Sequence, residues 1–580
     1  MDLFIFGLKQ YSVLALMCVS FWSYGRLMVG ALIPQKMDDA WLSIGLALTV
    51  GLGVFIVLLQ LLGAVGWLNR PAINIVLFSG LLLAAWQIKR VGFSRSSTEA
   101  PAHRGFNPWA LLAIGLAATM VYRPLTIPLA WDELMYHLPH ARQWAQSGYL
   151  SVNEWLRYPW FPYNFDLLYS AALLVRDDSF AHLLHALAGW LTMLLIYRVG
   201  LRQANHVVAL IASCIWIFLT DWFFNTAYIE LGVTLFVFAS CVTFAQWLEN
   251  TEDTGWLLLA CFLFGVAAGS KYQALSFLPL FFLAALWRRA GLAVLLKAAF
   301  FFLVPCIYWY ARNYLLSGDP FNPLGGKIFG YNGWDAGDMA YQISDLRRLS
   351  NWPDPLLWPA LIAPILLIFN KNKTLRYGVV LSIYALLVWY VTSHYDRYLM
   401  PVYPVIAILS AYSFHFVFDL LGKAIPDFIS KNRFAFKYML IGILLTGLVS
   451  SFKKEYKKHH QLIGYNAQAK ETARYKAIPE LGTLEHLKNN PQGKIYQWGL
   501  EGVIYYAPNP IWGDHFGYWR YRDFTSFDPE ILAQRLKNGG FEVLATGVLT
   551  AQGLEASEKF KQYFQEIAAS PGAKAYKVIP

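Results

Sequence analysis

Long apolar runs constrain this chain more than any other feature. Residues 42–68 and 226–247 are each long enough to cross a bilayer, whose roughly 30 Å of hydrocarbon takes about 20 residues as a helix. Hydrocarbon offers no water to satisfy backbone polar groups, so runs of this kind fold as helices. Charge agrees with that reading. Only 14% of the 580 residues are Asp, Glu, Lys or Arg, against about 25% in soluble domains. Mean hydropathy is +0.40. Spans are expected near 9–33, 42–68, 71–88, 108–123, 180–199, 206–220, 226–247, 255–269, 273–287, 298–311, 354–370, 377–392, 398–420 and 438–451. The first is read as a span and not a cleaved signal, because Met1 to Ile33 lacks a basic n-region and a small-residue cleavage site. The fold class is therefore a polytopic α-helical membrane protein with about 11–14 transmembrane helices.

The net charge of +11 does not mark a nucleic-acid binder, because the basic residues sit in short loops between apolar runs. Clusters at Lys89/Arg90/Arg95/Arg104, Arg198/Arg202, Arg288/Arg289/Lys297, Lys371/Lys373/Arg376 and Lys423/Lys431/Arg433/Lys437 all fall on one side. By the positive-inside rule that side is cytoplasmic. Outer loops then cover 124–179, 221–225, 312–353 and 393–397, with the tail on the same side. The acidic loop 249–253 and the basic Lys453–Lys458 segment run against this pattern. The first three spans put the N-terminus outside if all of them cross. The aromatic share of 17%, with 23 Trp, fits interfacial belts. All five cysteines fall in apolar segments, so neither a disulfide framework nor a zinc site is expected.

After Ser451 the composition turns mixed polar, with a helical stretch at 529–538, a Gly539-Gly540 stop and a strand over Phe541–Ala545. The expected domains are N-terminal helices (1–105), a membrane module (106–451) and a C-terminal soluble α/β domain (452–580).

Residues 131–144 read Trp-Asp-Glu-Leu-Met-Tyr-His-Leu-Pro-His-Ala-Arg-Gln-Trp. At helical spacing Asp132 shares a side with Tyr136, and Glu133 with His137. Pro139 suits the start of a second short helix and Gly148 its end. One reading is a juxtamembrane loop with Asp132 as a helix cap, worth about 0.5–2 kcal/mol. The other is a pair of reactive carboxylates near the headgroups. The continuation Arg157-Tyr158-Pro159-Trp160-Phe161-Pro162-Tyr163-Asn164 favours a site, being too polar to span and too apolar for a free linker.

Asp-Glu followed by Tyr-His and an Ala-Arg-X-Trp helix in the first large outer loop resembles the GT-C glycosyltransferases. These include protein O-mannosyltransferases, aminoarabinose transferases of lipid A and bacterial polyprenyl-phosphate-sugar transferases. Gly269-Ser270-Lys271-Tyr272, Tyr310-Ala311-Arg312-Asn313-Tyr314 with Gly318-Asp319-Pro320, and Ser393-His394-Tyr395-Asp396-Arg397-Tyr398 with Pro401 are similar to signatures of the bacterial branch. The resemblance covers about residues 108–420. Two features depart from the family pattern. Three spans precede the one that leads into the Asp-Glu loop, and Glu230 stands where many relatives have Asp.

The resemblance implies attack by an acceptor on the anomeric carbon of a lipid-phosphate-linked sugar. Asp132 takes the role of general base, a function typically worth 10²–10⁴-fold. Glu133 supports it, positions the acceptor, or binds a divalent metal if one is used. Lys271, Arg312 and Arg397 are the donor-phosphate partners, Arg gripping phosphate bidentately and Lys as a point charge. Tyr136, His137, Arg142, Glu230, Tyr272, Asn313 and His394 complete the substrate-binding candidates. Each has a plainer role open to it. Lys271 and Arg312 end spans and can snorkel to headgroups, Arg397 can pair with Asp396, and His137, His140 and His394 can be interface residues. Trp131 and Tyr136 can be interface anchors or sugar platforms. Glu230 lies inside an apolar segment, where a charge costs about 2.5–3.5 kcal/mol at mid-membrane, so it is expected to face the interior or a water-filled cavity.

The implied partners are a polyprenyl-phosphate-linked sugar donor, a lipid, glycan or protein acceptor, and membrane lipids, with no nucleic acid. The implied location is the bacterial inner membrane, with the active site and tail periplasmic. Two alternatives share the membrane. An O-antigen-type polymerase or ligase uses lipid-diphosphate glycans, and a transporter would carry ionisable groups near the midplane with internal repeats. No repeat is visible, and the charged candidates gather at one face.

Overall fold

The computed structural model describes residues 2–33, 37, 39–91, 108–348, 352–369, 372–422, 433–491 and 493–579. Arg95, Arg104, Lys371, Lys423 and Lys431 of the basic clusters lie outside them. The membrane part opens with α1 (Asp2–Leu32), α2 (Ala40–Ala64), α3 (Arg70–Val91) and α4 (Pro108–Ala118). The first large loop carries α5 (Leu138–Ser147) and α6 (Asp166–Val175). There follow α7 (Asp178–Gln203), α8 (His206–Thr220), α9 (Glu230–Glu249), α10 (Thr254–Ala268), α11 (Leu278–Trp287) and α12 (Leu292–Ser317). The second large loop holds α13 (Gly326–Phe329) and α14 (Ala336–Arg348), before α15 (Ala363–Phe369), α16 (Lys373–Thr392), α17 (Tyr403–Gly422) and α18 (Arg433–His459).

Ten described helices are long and apolar enough to cross a membrane, and this is an integral membrane protein. Three further expected spans are shorter apolar helices, at Thr254–Ala268, Tyr272–Trp287 and Pro355–Ile368. The last, 438–451, lies inside α18, which runs on through Lys453, Lys454, Lys457 and Lys458 to His459. The composition change at 452 is therefore not a helix end.

Caps set where helices begin. Asp177 accepts from Phe180 N at 3.0 Å ahead of α7, and Asn205 from Val207 N and Val208 N ahead of α8. Helices α7 and α9 are buried along most of their length, whereas α1, α3 and α12 turn most of their surface outward. Helices α1 and α2 cross with their backbones touching. A Cβ on Gly51 would fall 1.6 Å from the Phe21 carbonyl oxygen, so only glycine fits there.

Contacts between helix ends sort the loops into two faces. On one, Arg198 pairs with Asp39 at 2.7 Å, Asn372 Nδ2 donates to Gln203 Oε1 at 2.9 Å, and Thr374 reaches Glu249. The acidic loop 249–253 thus belongs with the basic face. On the other face, Gln10 near the start of α1 donates to Asp177 at 2.8 Å, and Tyr11 to the Val121 carbonyl at 2.5 Å. Arg123 there binds both Asp221 and Glu455, at 2.6 and 2.7 Å. The start of α1, the first large loop and the end of α18 share this face.

The C-terminal part is a five-stranded sheet of order β2-β1-β3-β5-β4, from β1 (Lys494–Trp498), β2 (Ile511–Trp512), β3 (Phe541–Gly547), β4 (Phe564–Ala569) and β5 (Ala573–Val578). β1 pairs in parallel with β2 and β3, while β5 runs antiparallel to β3 and β4. Helix Pro529–Asn538 and strand β3 stand where the sequence pattern puts them. This unit is bolted to the first large loop. Arg157 Nε donates to both oxygens of Asp514 at 2.9 and 2.8 Å, and Asp178 takes Lys470 and Arg474 at 2.5 and 2.8 Å. Tyr506 OH donates to the Pro128 carbonyl at 2.9 Å.

Reporters fused within 325–345 or after residue 460 are expected to read exoplasmic, and one after Lys373 cytoplasmic. Alkaline phosphatase and fluorescent-protein fusions measure this. A cytoplasmic 325–345 would split the loops between the two faces.

Candidate functional site

The chain leaves α4 through a tight turn and enters a five-residue π turn at Glu133–His137, directly before α5. Such insertions recur at functional sites because they re-aim side chains. Gly148, at φ +78°, closes α5 as its sequence predicts. Asp132 makes no capping bond. Its Oδ2 instead takes Arg397 Nη1 at 2.6 Å and the Tyr136 hydroxyl at 3.3 Å, while Tyr228 OH accepts its backbone N–H at 3.1 Å.

Arg397 sits between α16 and α17, and its guanidinium also lies 3.8 Å from Glu230 Oε1. That oxygen accepts Lys271 Nζ at 3.0 Å. Two acids and two bases therefore alternate in one chain: Asp132, Arg397, Glu230, Lys271. Aromatic rings wall it in. Lys271 Nζ is 4.4 Å from the Tyr398 ring centre, and the Arg397 guanidinium is 5.7 and 5.9 Å from those of Tyr228 and Tyr398. Burial alone would lower the Arg397 pKa, but Asp132 and Glu230 hold it well above the usual value. Burial and the neighbouring Asp132 push the Tyr136 phenol up.

A second group adjoins through the chain step from Lys271 to Tyr272. Asn313 Nδ2 donates to Tyr272 OH at 2.9 Å and to the Trp160 carbonyl at 2.7 Å, while its Oδ1 accepts Arg312 Nη2 at 2.9 Å. Arg312 is buried over the Trp309 ring, its Nη1 has no hydrogen-bond partner, and among the described residues it has no carboxylate partner. A buried cation left in that state is expensive without an anion. Beside Arg397 opens a cavity of about 170 Å³ of mixed lining, with Phe218, Phe223 and Met400 as well as Asp354, Asp396 and Tyr403 on its walls. A larger apolar crevice of about 290 Å³, near Gln203 and Thr374, lies at the opposite end of the bundle. Among the described residues no three His, Cys, Asp or Glu side chains gather to hold a metal ion.

Residues 164–309 match the profile of the dolichyl-phosphate-mannose-protein mannosyltransferase family. The structure of ArnT from Cupriavidus metallidurans bound to undecaprenyl phosphate superimposes with a TM-score of 0.50, at 14% identity, over 81% of this chain and 98% of that one. The profile match covers 146 of the 580 residues, and the superposition shows a shared fold. Its C-terminal residues 469–577 match a different profile, described as SF2091/S2213. Two uncharacterized proteins of Shigella flexneri, SF2092/S2214 and SF2093/S2215, are 33% and 31% identical over 111 and 129 residues. Those matches span 60% and 63% of the two relatives, and 17% and 22% of this chain.

On this fold Asp132, Tyr136, Glu230, Lys271 and Arg397 come together, and Tyr272, Arg312 and Asn313 stand beside them. Lys271 does not snorkel, and Arg397 passes over Asp396, whose Oδ1 accepts only the Arg397 backbone N–H at 2.7 Å. Glu133 opens the π turn. It is fully buried and saturated: Oε1 accepts Leu129 N and Ala130 N at 2.6 Å each, and Oε2 accepts His182 Nε2 at 2.8 Å and Ala227 N at 2.5 Å. That geometry shapes the turn and leaves no lone pair for a proton or a metal. His137 is buried against Asp166, Nδ1 to Oδ1 at 2.6 Å.

Two candidates stand elsewhere. Arg142 reaches the Tyr505 carbonyl and Asn509 Oδ1 of the C-terminal unit, so it is a docking residue. His394 lies against Tyr390 and Trp389 with its Nε2 at 3.0 Å from the Tyr390 carbonyl, capping its own helix. Sequence reasoning missed Tyr228, Tyr398, Asp166 and His182. Tyr398 belonged to a quoted motif, and His182 is an ionisable residue in an apolar helix, which is signal enough. Tyr228 carried none.

Glu133→Ala would strand four donors, each costing about 1–3 kcal/mol when buried unpaired. The variant is expected to lose thermal stability in detergent far more than Asp132→Ala does. Equal melting temperatures would contradict the structural role of Glu133.

Proposed function

We propose that this protein is a glycosyltransferase that moves a sugar from a polyprenyl-phosphate-linked donor to an acceptor at the periplasmic face of a bacterial inner membrane. The observation that carries the reading is the meeting of Asp132 with Lys271 and Arg397 in one half-buried cluster at the ends of α9, α10 and α16. A carboxylate and two cations are what this transfer needs. The acceptor oxygen bonds to the anomeric carbon while its proton passes to Asp132. The anomeric C–O bond breaks, and its electron pair goes to the phosphate. Phosphate is a good leaving group, so cations that hold its charge matter more than a general acid. Lys271 and Arg397 serve that purpose, and Arg312, buried without a counterion, adds a third cation.

The bound undecaprenyl phosphate of the ArnT structure supports the same class of lipid here. Tyr136, Glu230, Tyr272 and Asn313 border the sugar-binding space in this reading, and the C-terminal unit, packed over the loop of Asp132, faces the acceptor. The basic helix ends are cytoplasmic and the site periplasmic. A transporter is less well supported, because the ionisable cluster lies at helix ends and not at the midplane.

Asp132→Asn preserves shape but cannot accept a proton. Sugar release from a labelled polyprenyl-phosphate sugar by the purified variant is expected to fall at least about 100-fold, the lower bound for a general base. A rate above about a tenth of wild type would remove Asp132 from that role.

A further inference from the structure

The charges of the site are paired with one another. Lys271 Nζ and Arg397 Nη1 both lie within 4 Å of one oxygen, Glu230 Oε1, and Arg397 Nη1 also holds Asp132 Oδ2 at 2.6 Å. The cations needed for a phosphate are engaged by carboxylates. The carboxylate needed for a proton is engaged by a cation. The Asp132 oxygen that Arg397 Nη1 holds at 2.6 Å is not free to take an acceptor's proton. Neither half of the site is ready for its partner.

Resting on the function proposed above, we infer that Glu230 is a placeholder anion standing where the donor phosphate binds, and that donor arrival draws Arg397 off Asp132 and so releases the base. The arrangement of charge supports the exchange. With both acids and both bases ionised, the cluster of four is neutral. A phosphodiester donor brings one negative charge, which Arg312, beside the cluster through Asn313 and Tyr272, is free to match. Transfer then protonates Asp132 and leaves the lipid phosphate with one more negative charge. The sum over the site does not change as the bond breaks. Glu230 is thus a positioning residue: it holds Lys271 and Arg397 to one oxygen in a half-buried site, where unpaired charges would be costly.

The consequence runs against the usual effect of mutating a binding site. Removing a competing carboxylate should strengthen phosphate binding, because the fraction of protein with its cations free sets the apparent affinity. The experiment measures binding of undecaprenyl phosphate, with undecaprenol as the uncharged control, to the purified full-length protein and its variants. Glu230→Gln and Asp132→Asn are each expected to bind the phosphate about fivefold or more tightly than wild type, with undecaprenol unchanged. Affinity equal to or weaker than wild type in both variants overturns the inference, since a merely structural Glu230 has no reason to oppose an anion. If Glu230→Gln does not fold, Asp132→Asn decides alone. Lys271→Met and Arg397→Gln separate this outcome from the broader reading. If they too bind the phosphate as wild type does, the phosphate does not lie at this cation pair and the proposed site itself fails.

Discussion

The alternating ion chain Asp132–Arg397–Glu230–Lys271 is the interaction on which the functional end of this protein depends. Its four members come from the first outer loop, the connection between α16 and α17, the start of α9 and the end of α10. Charges so close to hydrocarbon are tolerated only when paired. Each element must therefore end at a height and angle that lets its charge meet the next. Buried pairs of this kind contribute little net stability, yet removing one partner from such a pair costs about 3–5 kcal/mol. Their value is in fixing how the elements meet.

Around that chain, other groups do the holding. Glu133 spends both oxygens on three backbone N–H groups and His182, so the turn that presents Asp132 is set by its neighbour in sequence. Tyr228 meets the Asp132 backbone from the far side. Arg157 and Asp178 clamp the C-terminal sheet unit onto the same loop by charge pairs with Asp514, Lys470 and Arg474. Two adjacent acids in the sequence thus have opposite duties. One is locked in place with every lone pair used, and the other is held by a single cation that a phosphate can claim.

Much of the architecture was legible from hydrophobic runs and charge. Most spans appear as helices close to their expected bounds, and the basic helix ends gather on one face, because chain length across hydrocarbon and backbone hydrogen bonding leave few alternatives. The site was legible in part. The motifs around Asp132, Lys271, Arg312 and Arg397 pointed to one face, and the cluster indeed assembles there. Arg142 and His394 were drawn in by being near those motifs in sequence. Their side chains point elsewhere, one to Asn509 and the other to Tyr390. Glu133 is taken up by His182 and Ala227, partners 49 and 94 positions away that no local pattern announces.

The sequence by itself determined a polytopic helical bundle and a mixed α/β tail, since those follow from composition and periodicity along the chain. Only the tertiary structure decided which charge meets which. Arg397 passes over the adjacent Asp396 to reach Asp132, across 265 positions in sequence. Lys271 turns inward to Glu230 across 41. Such pairings are set by where helices cross and end in space, and a side chain near hydrocarbon takes whichever opposite charge the packing brings within reach.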